Sequence, residues 1–155
     1  MPKLDQDKIP TLTGTTYPSE YNAPCQTRHL KPLGDAGGLT QFGAHLVTLP
    51  PGCWASQRHA HSAEDEFIYI LSGHPTLIDN FGETPLAPGD ACTHKAGDDN
   101  PHHLVNQTDG DVTCLVIGTR NPSKDNVDYP DADMMIRANG KPMRVLTRKD
   151  GKTSF

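Results

Sequence analysis

The sequence predicts an all-β protein whose short antiparallel strands form a sandwich or barrel. Short runs rich in β-branched and aromatic residues recur at spacings of roughly 8–12 residues between positions 39 and 120. Turn-forming residues separate these runs, and the 155-residue chain contains 14 glycines and 14 prolines. No stretch has a convincing helical stripe of apolar residues. Strands that follow one another without intervening helices favour an all-β fold over βαβ units.

The chain is long enough for about one domain, which we divide into three segments. Residues 1–38 are predicted to form an N-terminal arm, because prolines interrupt any periodicity there. These prolines are Pro2, Pro10, Pro18, Pro24 and Pro32. Residues 39–120 are predicted to form the barrel, and residues 121–155 a C-terminal extension.

Seven strands are predicted within the barrel segment. They are Thr40–Leu49, Glu66–Leu71, Thr76–Asp79, Glu83–Leu86, Ala91–Lys95, His102–Asn106 and Val112–Thr119. Pro50-Pro51-Gly52 and Pro88-Gly89-Asp90 are predicted turns, and Asn80-Phe81-Gly82 is predicted to close a hairpin.

The C-terminal extension is predicted to contain a loop followed by a second hairpin. Residues 121–133 are polar, and the acidic stretch Asp125–Asp133 is interpreted as a solvated connection. Met134–Ala138 and Met143–Leu146 flank Asn139-Gly140, a strong hairpin signal.

Composition excludes several classes of function. The formal net charge is −5, whereas a nucleic-acid binder normally shows a clustered basic excess. No apolar run approaches the roughly 18 residues of a membrane span, and the polar N-terminus leads us to expect a cytoplasmic protein. Four scattered cysteines, with no CxxC pair, are interpreted as free thiols: Cys25, Cys53, Cys92 and Cys114.

Two histidines two residues apart give the first indication of chemistry. On a strand, His59 and His61 would point to the same face, about 6.5–7 Å apart, so both imidazoles could reach one ion. Chance alone gives about 0.4 such triplets in a chain of this composition, so the pair needs supporting context. Gly52 precedes the pair, and Glu66 and Gly73 follow it at regular spacings.

This context resembles the first motif of the cupin superfamily, G-x5-H-x-H-x(3,4)-E-x6-G, with the first spacer one residue longer. The second cupin motif, G-x5-P-x-G-x2-H-x3-N, is matched at its start by Gly82 and Pro88 and at its end by His102 and Asn106. Its middle is stretched by a longer turn. The resemblance covers about residues 39–120 and implies a jelly-roll β-barrel, also called a double-stranded β-helix.

The resemblance implies a divalent metal held inside the barrel by His59, His61, Glu66 and His102. Strand alternation supports His102 over His103, because Leu104 and Asn106 would then face inward together with His102. His103 is the alternative ligand. Three imidazoles and one carboxylate suit one iron, manganese, nickel or zinc ion. A six-coordinate ion would keep two positions open for substrate or dioxygen, whereas a four-coordinate zinc would be structural.

Other side chains receive less specific interpretations. Inward-facing residues of the barrel are expected to surround the metal: Gln57, Ile68, Ile70 and Leu104. Four histidines are interpreted as surface or satisfied structural groups: His29, His45, His74 and His94. Arg58 and Lys95 are interpreted as solvated charges, the alternative being that they contact an anionic substrate at the mouth of the barrel. Phe67, Tyr69 and Leu71 form an apolar face that either packs under the arm or forms a subunit interface.

The sequence therefore predicts a metal-dependent enzyme acting on a small polar or anionic metabolite. Within the cupins the candidate reactions are dioxygenation, sugar-phosphate isomerisation and lyase or decarboxylase chemistry, and the fold does not choose among them. The alternative is a non-catalytic small-molecule binder with a structural metal or none. The family resemblance implies a homodimer. From the composition we expect neither a nucleic-acid partner nor a membrane partner.

Overall fold

The computed structural model describes residues 3–155 and contains three antiparallel sheets. Six strands form the largest sheet, in the order β1 (Leu12–Thr13), β2 (His29–Lys31), β3 (Phe42–Leu49), β10 (Val112–Thr119), β5 (Glu66–Ser72) and β8 (Ala91–His94). A three-stranded sheet contains β7 (Gly82–Pro85), β6 (Thr76–Asp79) and β9 (His103–Val105). A four-stranded sheet contains β13 (Leu146–Thr147), β12 (Met134–Ile136), β11 (Val127–Tyr129) and β4 (Ala60–His61). The all-β barrel prediction is confirmed.

The helices are short and lie in the arm. Two 3₁₀ turns span Gln6–Lys8 and Ala23–Cys25, and one α-helical turn, α1, spans Leu33–Ala36. The helix α1 packs on β3, where Gly34 lies so close to Ala44 that a Cβ would come within 2.9 Å of the Ala44 nitrogen. In the described part of the chain, no helix has the length and apolar character needed to cross a membrane.

The hydrophobic core lies between the six-stranded sheet and the strands opposite it. Its buried members alternate along their strands, as expected for a sheet with one face inside. They are Val47, Leu49, Cys53, Ile68, Ile70, Leu86, Cys92, Leu104, Val112 and Cys114. All four cysteines of the chain are buried and have free thiols.

The predicted strands of the barrel segment occur close to their predicted bounds. Strand β10 has the predicted bounds, and the hairpin of β6 and β7 turns at Asn80-Phe81 with Asp79 opposite Gly82. The central ladder pairs β10 with both β3 and β5, so that Glu66, Gly118 and Gly43 occupy one row across the sheet. This row leads from the start of β5 to the edge of the arm.

The C-terminal extension differs from its prediction in two respects. The stretch interpreted as a solvated connection contains β11, and Val127 and Tyr129 are buried there. The interpretation was wrong because β11 pairs with β4 and β12, and these long-range partners cannot be read from local polarity. The hairpin of β12 and β13 exists, but Asn139-Gly140 lies within a longer connection instead of forming a two-residue turn.

Candidate metal centre

Backbone pairing brings the predicted histidine ligands together at one end of the barrel. His59 and His102 form an antiparallel bridge, in which each backbone nitrogen donates to the other residue's carbonyl, at 3.1 and 2.9 Å. Their imidazole centroids are 5.1 Å apart. His61 follows on β4, and its ring centroid lies 4.9 Å from that of His59. Three imidazoles are therefore clustered by the pairing of His59 with His102, 43 positions further along the chain.

Glu66, the first residue of β5, faces this cluster from the opposite sheet. Its Oε2 lies 3.0 Å from Nε2 of His102 and 3.9 Å from Nε2 of His59. One donor atom each from His59, His61 and Glu66 lie within 4.8 Å of one another, which is close enough for a shared ion. The structure thus brings all four predicted side chains together, and the cluster could hold a metal ion.

His103, the alternative ligand, points elsewhere. Its Nδ1 donates to the Ser56 carbonyl at 3.1 Å, and its ring packs edge-on against Trp54 with 4.7 Å between centroids. His103 is nevertheless buried and lines the same cavity as His102, so these contacts, and not a position on the outer face, keep it from the cluster.

Hydrogen bonds at Nδ1 orient two of the imidazoles for metal binding. His59 Nδ1 donates to the Gln57 carbonyl at 2.9 Å, and His61 Nδ1 donates to Asp125 Oδ2 at 2.7 Å. Each bond fixes the tautomer that leaves Nε2 unprotonated, with its lone pair available to a metal. The donor set therefore fits a borderline divalent ion, with iron, manganese, nickel and zinc all compatible.

Burial and proximity shift the ionisation of the cluster. Burial lowers the pKa of His59 to about 4, and the neighbouring charge of Glu66 only partly opposes this shift. Burial by itself would raise the pKa of Glu66, but the hydrogen bond to His102 and the three imidazoles outweigh it and lower the pKa to about 2. At neutral pH, the site therefore presents an ionised carboxylate and a neutral His59, the forms that bind metals.

Asp125 is a functional residue that the sequence interpretation missed. Its side chain is 0% exposed and accepts hydrogen bonds from His61 and from the Ala63 backbone nitrogen. Arg144, in the connection between β12 and β13, donates to Asp125 at 3.0 Å and pairs with Glu64. The residues around Asp125 are polar and acidic, so no local signal distinguished it from a solvated charge.

A cavity of about 310 Å³ opens beside the cluster. Its wall carries the four predicted ligands together with residues from the arm, the sheet and the extension. Among them are Tyr17, Arg28, His45, Tyr129 and Arg144. Ile68 and Leu104 line the cavity as expected, but Ile70 does not, and Gln57 donates instead to the Tyr21 carbonyl at 2.7 Å.

Two histidines interpreted as surface or satisfied groups prove to be neither. His45, on β3, lines the cavity, and its Nδ1 is buried without a hydrogen-bond partner among the described residues. His94 stacks on His102 with parallel rings and has a buried, unpartnered Nε2 in the same part of the chain. Both corrections have one cause: alternation along β3 and β8 turns these rings toward the barrel interior. His29 does fit its interpretation, since its Nδ1 pairs with the Thr13 hydroxyl.

The basic side chain Arg58 lies outside the cavity wall. Arg58 forms an ion pair with Asp131 at 2.6 Å and donates to Asn80. The Arg58 side chain is 18% exposed and bound by these two partners, so it is less solvated than its interpretation expected.

The barrel and this site correspond to a known class of proteins. The Cupin domain family model matches residues 45–118. A cupin-superfamily protein from Silicibacter pomeroyi DSS-3, named as a sugar phosphate isomerase, is 45% identical, with 99% of this chain and 97% of that chain covered and a TM-score of 0.91. The chain therefore belongs to the cupin superfamily.

Two further solved structures resemble it over the barrel. A protein from Acidithiobacillus ferrooxidans ATCC 23270, provisionally named a sugar phosphate isomerase, is 36% identical, with 80% of this chain and 78% of that chain covered and a TM-score of 0.71. A predicted oxalate decarboxylase from Thermotoga maritima is 23% identical, with coverage of 76% and 97% and a TM-score of 0.61, which shows the shared fold alone. No curated protein matches the chain.

Proposed function

We propose that this protein is a metal-dependent isomerase of small phosphorylated sugars. The observation that carries the proposal is the convergence of His59, His61, Glu66 and His102 on the wall of a 310 Å³ cavity. That volume lies at the lower end of the roughly 300–1,000 Å³ range of small-molecule sites. The two solved structures named as sugar phosphate isomerases, at 45% and 36% identity, support this choice among cupin reactions.

Interconversion of an aldose and a ketose moves a proton between adjacent carbons that carry a carbonyl and a hydroxyl group. A divalent ion bound by the four ligands would supply a Lewis acid that polarises those oxygens. The chain must then supply a group that takes up and returns the proton.

We assign this proton transfer to His45. It lines the cavity outside the ligand set, and its Nδ1 has no partner among the described residues. Burial, with smaller effects from Asp35, Arg120 and Arg28, lowers the pKa of His45, so its imidazole is neutral and able to accept a proton at pH 7. Tyr129 lines the same cavity, and because burial raises its pKa it keeps its phenolic proton and can donate a hydrogen bond.

The first test is elemental analysis of protein purified without a histidine tag, followed by assays on a panel of aldose and ketose phosphates. We expect about one metal ion per chain and metal-dependent turnover. The His59→Ala/His61→Ala variant should lose both while keeping its fold, because the hydrophobic core does not include the ion. His45→Gln should retain the metal and lose turnover by about 10²–10⁴-fold, whereas His74→Gln, outside the cavity, should be unchanged.

Two outcomes would contradict the proposal. Stoichiometric metal in the His59→Ala/His61→Ala variant would refute the ligand assignment. Bound metal without turnover of any sugar phosphate would favour the alternative of a non-catalytic binding protein.

A further inference from the structure

Arg28 is distinguished from the other arginines by its lack of an acidic partner. The chain has six arginines, and five of them form ion pairs with carboxylates: Arg58, Arg120, Arg137, Arg144 and Arg148. Within residues 3–155, no carboxylate lies within ion-pair distance of Arg28. Arg28 belongs to the arm and lines the cavity.

Backbone carbonyls hold the Arg28 guanidinium in place without neutralising it. Nε and Nη2 donate to the Gly14 carbonyl at 3.3 and 3.2 Å, and Nη1 donates to the Ala55 carbonyl at 2.5 Å. A guanidinium has five N–H groups, so two remain for a ligand after these three bonds. The group is therefore positioned in advance, with its charge and part of its fork available.

The rest of the cavity wall does not offset this charge. Glu66 is the single acidic residue among the described residues that line the cavity, and it belongs to the metal cluster. Arg144, the other lining arginine, is already paired with Glu64 and Asp125. A half-buried cation without a counter-charge costs desolvation free energy, and a bound anion would offset that cost.

The wall between Arg28 and the metal cluster is continuous. The ring centroid of Tyr129 lies 5.9 Å from that of His59 and 5.7 Å from that of Tyr17. The charge of Arg28 in turn acts on Tyr17 and lowers its pKa, although burial has the larger, opposite effect. The charge of Arg28 also contributes to the lowered pKa of His45, which lies on β3. Arg28 and the metal cluster line the same cavity, so one ligand can contact both.

We propose that Arg28 binds the phosphate group of the substrate, while the carbonyl and hydroxyl end lies at the metal cluster. This inference rests on the proposed function and adds to it a residue that selects phosphorylated over neutral sugars. Arg28 lies outside residues 45–118, which match the family model, so the selectivity for an anion comes from the arm.

Calorimetric titration of metal-free protein with inorganic phosphate tests this subsite directly. We expect one phosphate per chain, bound about 10- to 100-fold more weakly by Arg28→Met, which is the loss expected for a charge-assisted contact. Arg28→Lys should be intermediate, since it keeps the charge and loses the fork. Arg137→Met, which removes an exposed arginine, should match the wild type.

Phosphate titration together with isomerase assays tests this inference separately from the proposed function. The His59→Ala/His61→Ala variant should still bind phosphate, because its Arg28 is intact. In the wild type, phosphate binding without isomerase activity would refute the proposed function and leave the subsite supported. Isomerase activity with a KM for sugar phosphates unchanged in Arg28→Met would refute the subsite alone.

Because Arg28 also holds Gly14 and Ala55, Arg28→Met could fail to fold, and the wild type then supplies the test. A crystal structure of the wild-type protein with phosphate should place the anion within hydrogen-bond distance of the guanidinium. Phosphate bound elsewhere, or no phosphate binding to the metal-free protein, would overturn the assignment.

Discussion

Asp125 is a buried carboxylate that orients one imidazole of the candidate metal centre. It binds His61 at Nδ1, the nitrogen opposite the one that faces the cluster, and so fixes both the ring orientation and the tautomer. Arg144 and the Ala63 backbone nitrogen satisfy its remaining acceptor positions. A carboxylate that is 0% exposed thus has the partners that a buried charge needs.

Asp125→Asn is expected to weaken metal binding by about 10- to 100-fold, because His61 loses its charged orienting partner. Competition with a chromogenic chelator measures the change. Asp128→Asn is the matched control, since Asp128 is three residues away on β11, is exposed and pairs with Arg137. Equal metal affinities in the two variants would contradict the orienting role of Asp125.

The buried histidines also predict how stability depends on pH. In the metal-free protein, burial lowers the pKa of His59 to about 4, and burial followed by the charge of His102 does the same for His94, from an ordinary value of 6.5. Between these two values, the unfolded chain binds protons that the folded chain does not. The stabilisation from these neutral histidines is therefore complete above pH 6.5. The free energy of unfolding falls as the pH drops toward 4, by at most about 1.4 kcal/mol per pH unit for each proton.

Urea unfolding of chelator-treated protein at several values between pH 5 and 7 measures this slope. The variant His94→Phe keeps a ring against His102 but removes one titrating group, so its slope should be smaller than that of the wild type. A transition midpoint that does not change over this range would refute the prediction.

At the scale of elements, two glycines mark the ends of the segment that carries the first motif. Gly52 precedes the histidine pair and Gly73 directly follows β5, with φ values of +76° and +78°. Both occupy the left-handed region, which disfavours a Cβ. Their surroundings differ: a Cβ at Gly52 would meet nothing within 4 Å, whereas at Gly73 it would lie 2.6 Å from the Asp111 carbonyl oxygen.

Alanine at each glycine should separate strain from steric clash. Gly52→Ala is expected to lower the free energy of unfolding by about 1–2 kcal/mol, the cost of the left-handed conformation. Gly73→Ala should cost about 1–3 kcal/mol more, because the backbone at Asp111 and Val112 must move. Urea denaturation compares the two variants, and equal losses would show that the close approach at Gly73 is unimportant.

At the scale of the whole molecule, the outer face of the six-stranded sheet is apolar and uncovered. Phe67, Tyr69 and Leu71 on β5 are 37, 38 and 47% exposed, and Leu115 and Ile117 on β10 lie beside them. The interpretation that these residues pack under the arm is wrong for the described residues, because β1 and β2 extend the sheet beyond β3 instead. Contiguous apolar surface of this kind favours the second alternative, a subunit interface.

We propose that this face joins two copies of the chain into a homodimer. Light scattering coupled to size-exclusion chromatography should give twice the chain mass of 16.8 kDa for the wild type and a single chain mass for Phe67→Glu. Phe81→Glu is the control, since Phe81 is 90% exposed at the tip of the β6–β7 hairpin and should not change the mass. A monomeric wild type would refute the proposal.

Features that depend on neighbours along the chain could be predicted from the sequence. Strand periodicity, the turn at Asn80-Phe81 and the spacing of His59, His61 and Glu66 were all predicted from local pattern, because alternation and turn chemistry act over a few residues. The family resemblance added His102, and the structure brings it to Glu66.

Which charges and rings lie at the site could be read only from the folded chain. Asp125 meets His61 across 64 positions of sequence, and Arg28 meets Ala55 across 27. Whether a polar residue is solvated or buried depends on the partners that folding places around it, and these come from distant segments. The arm and the extension look like loops in sequence for this reason, yet they supply Arg28, Asp125 and Arg144 to the site.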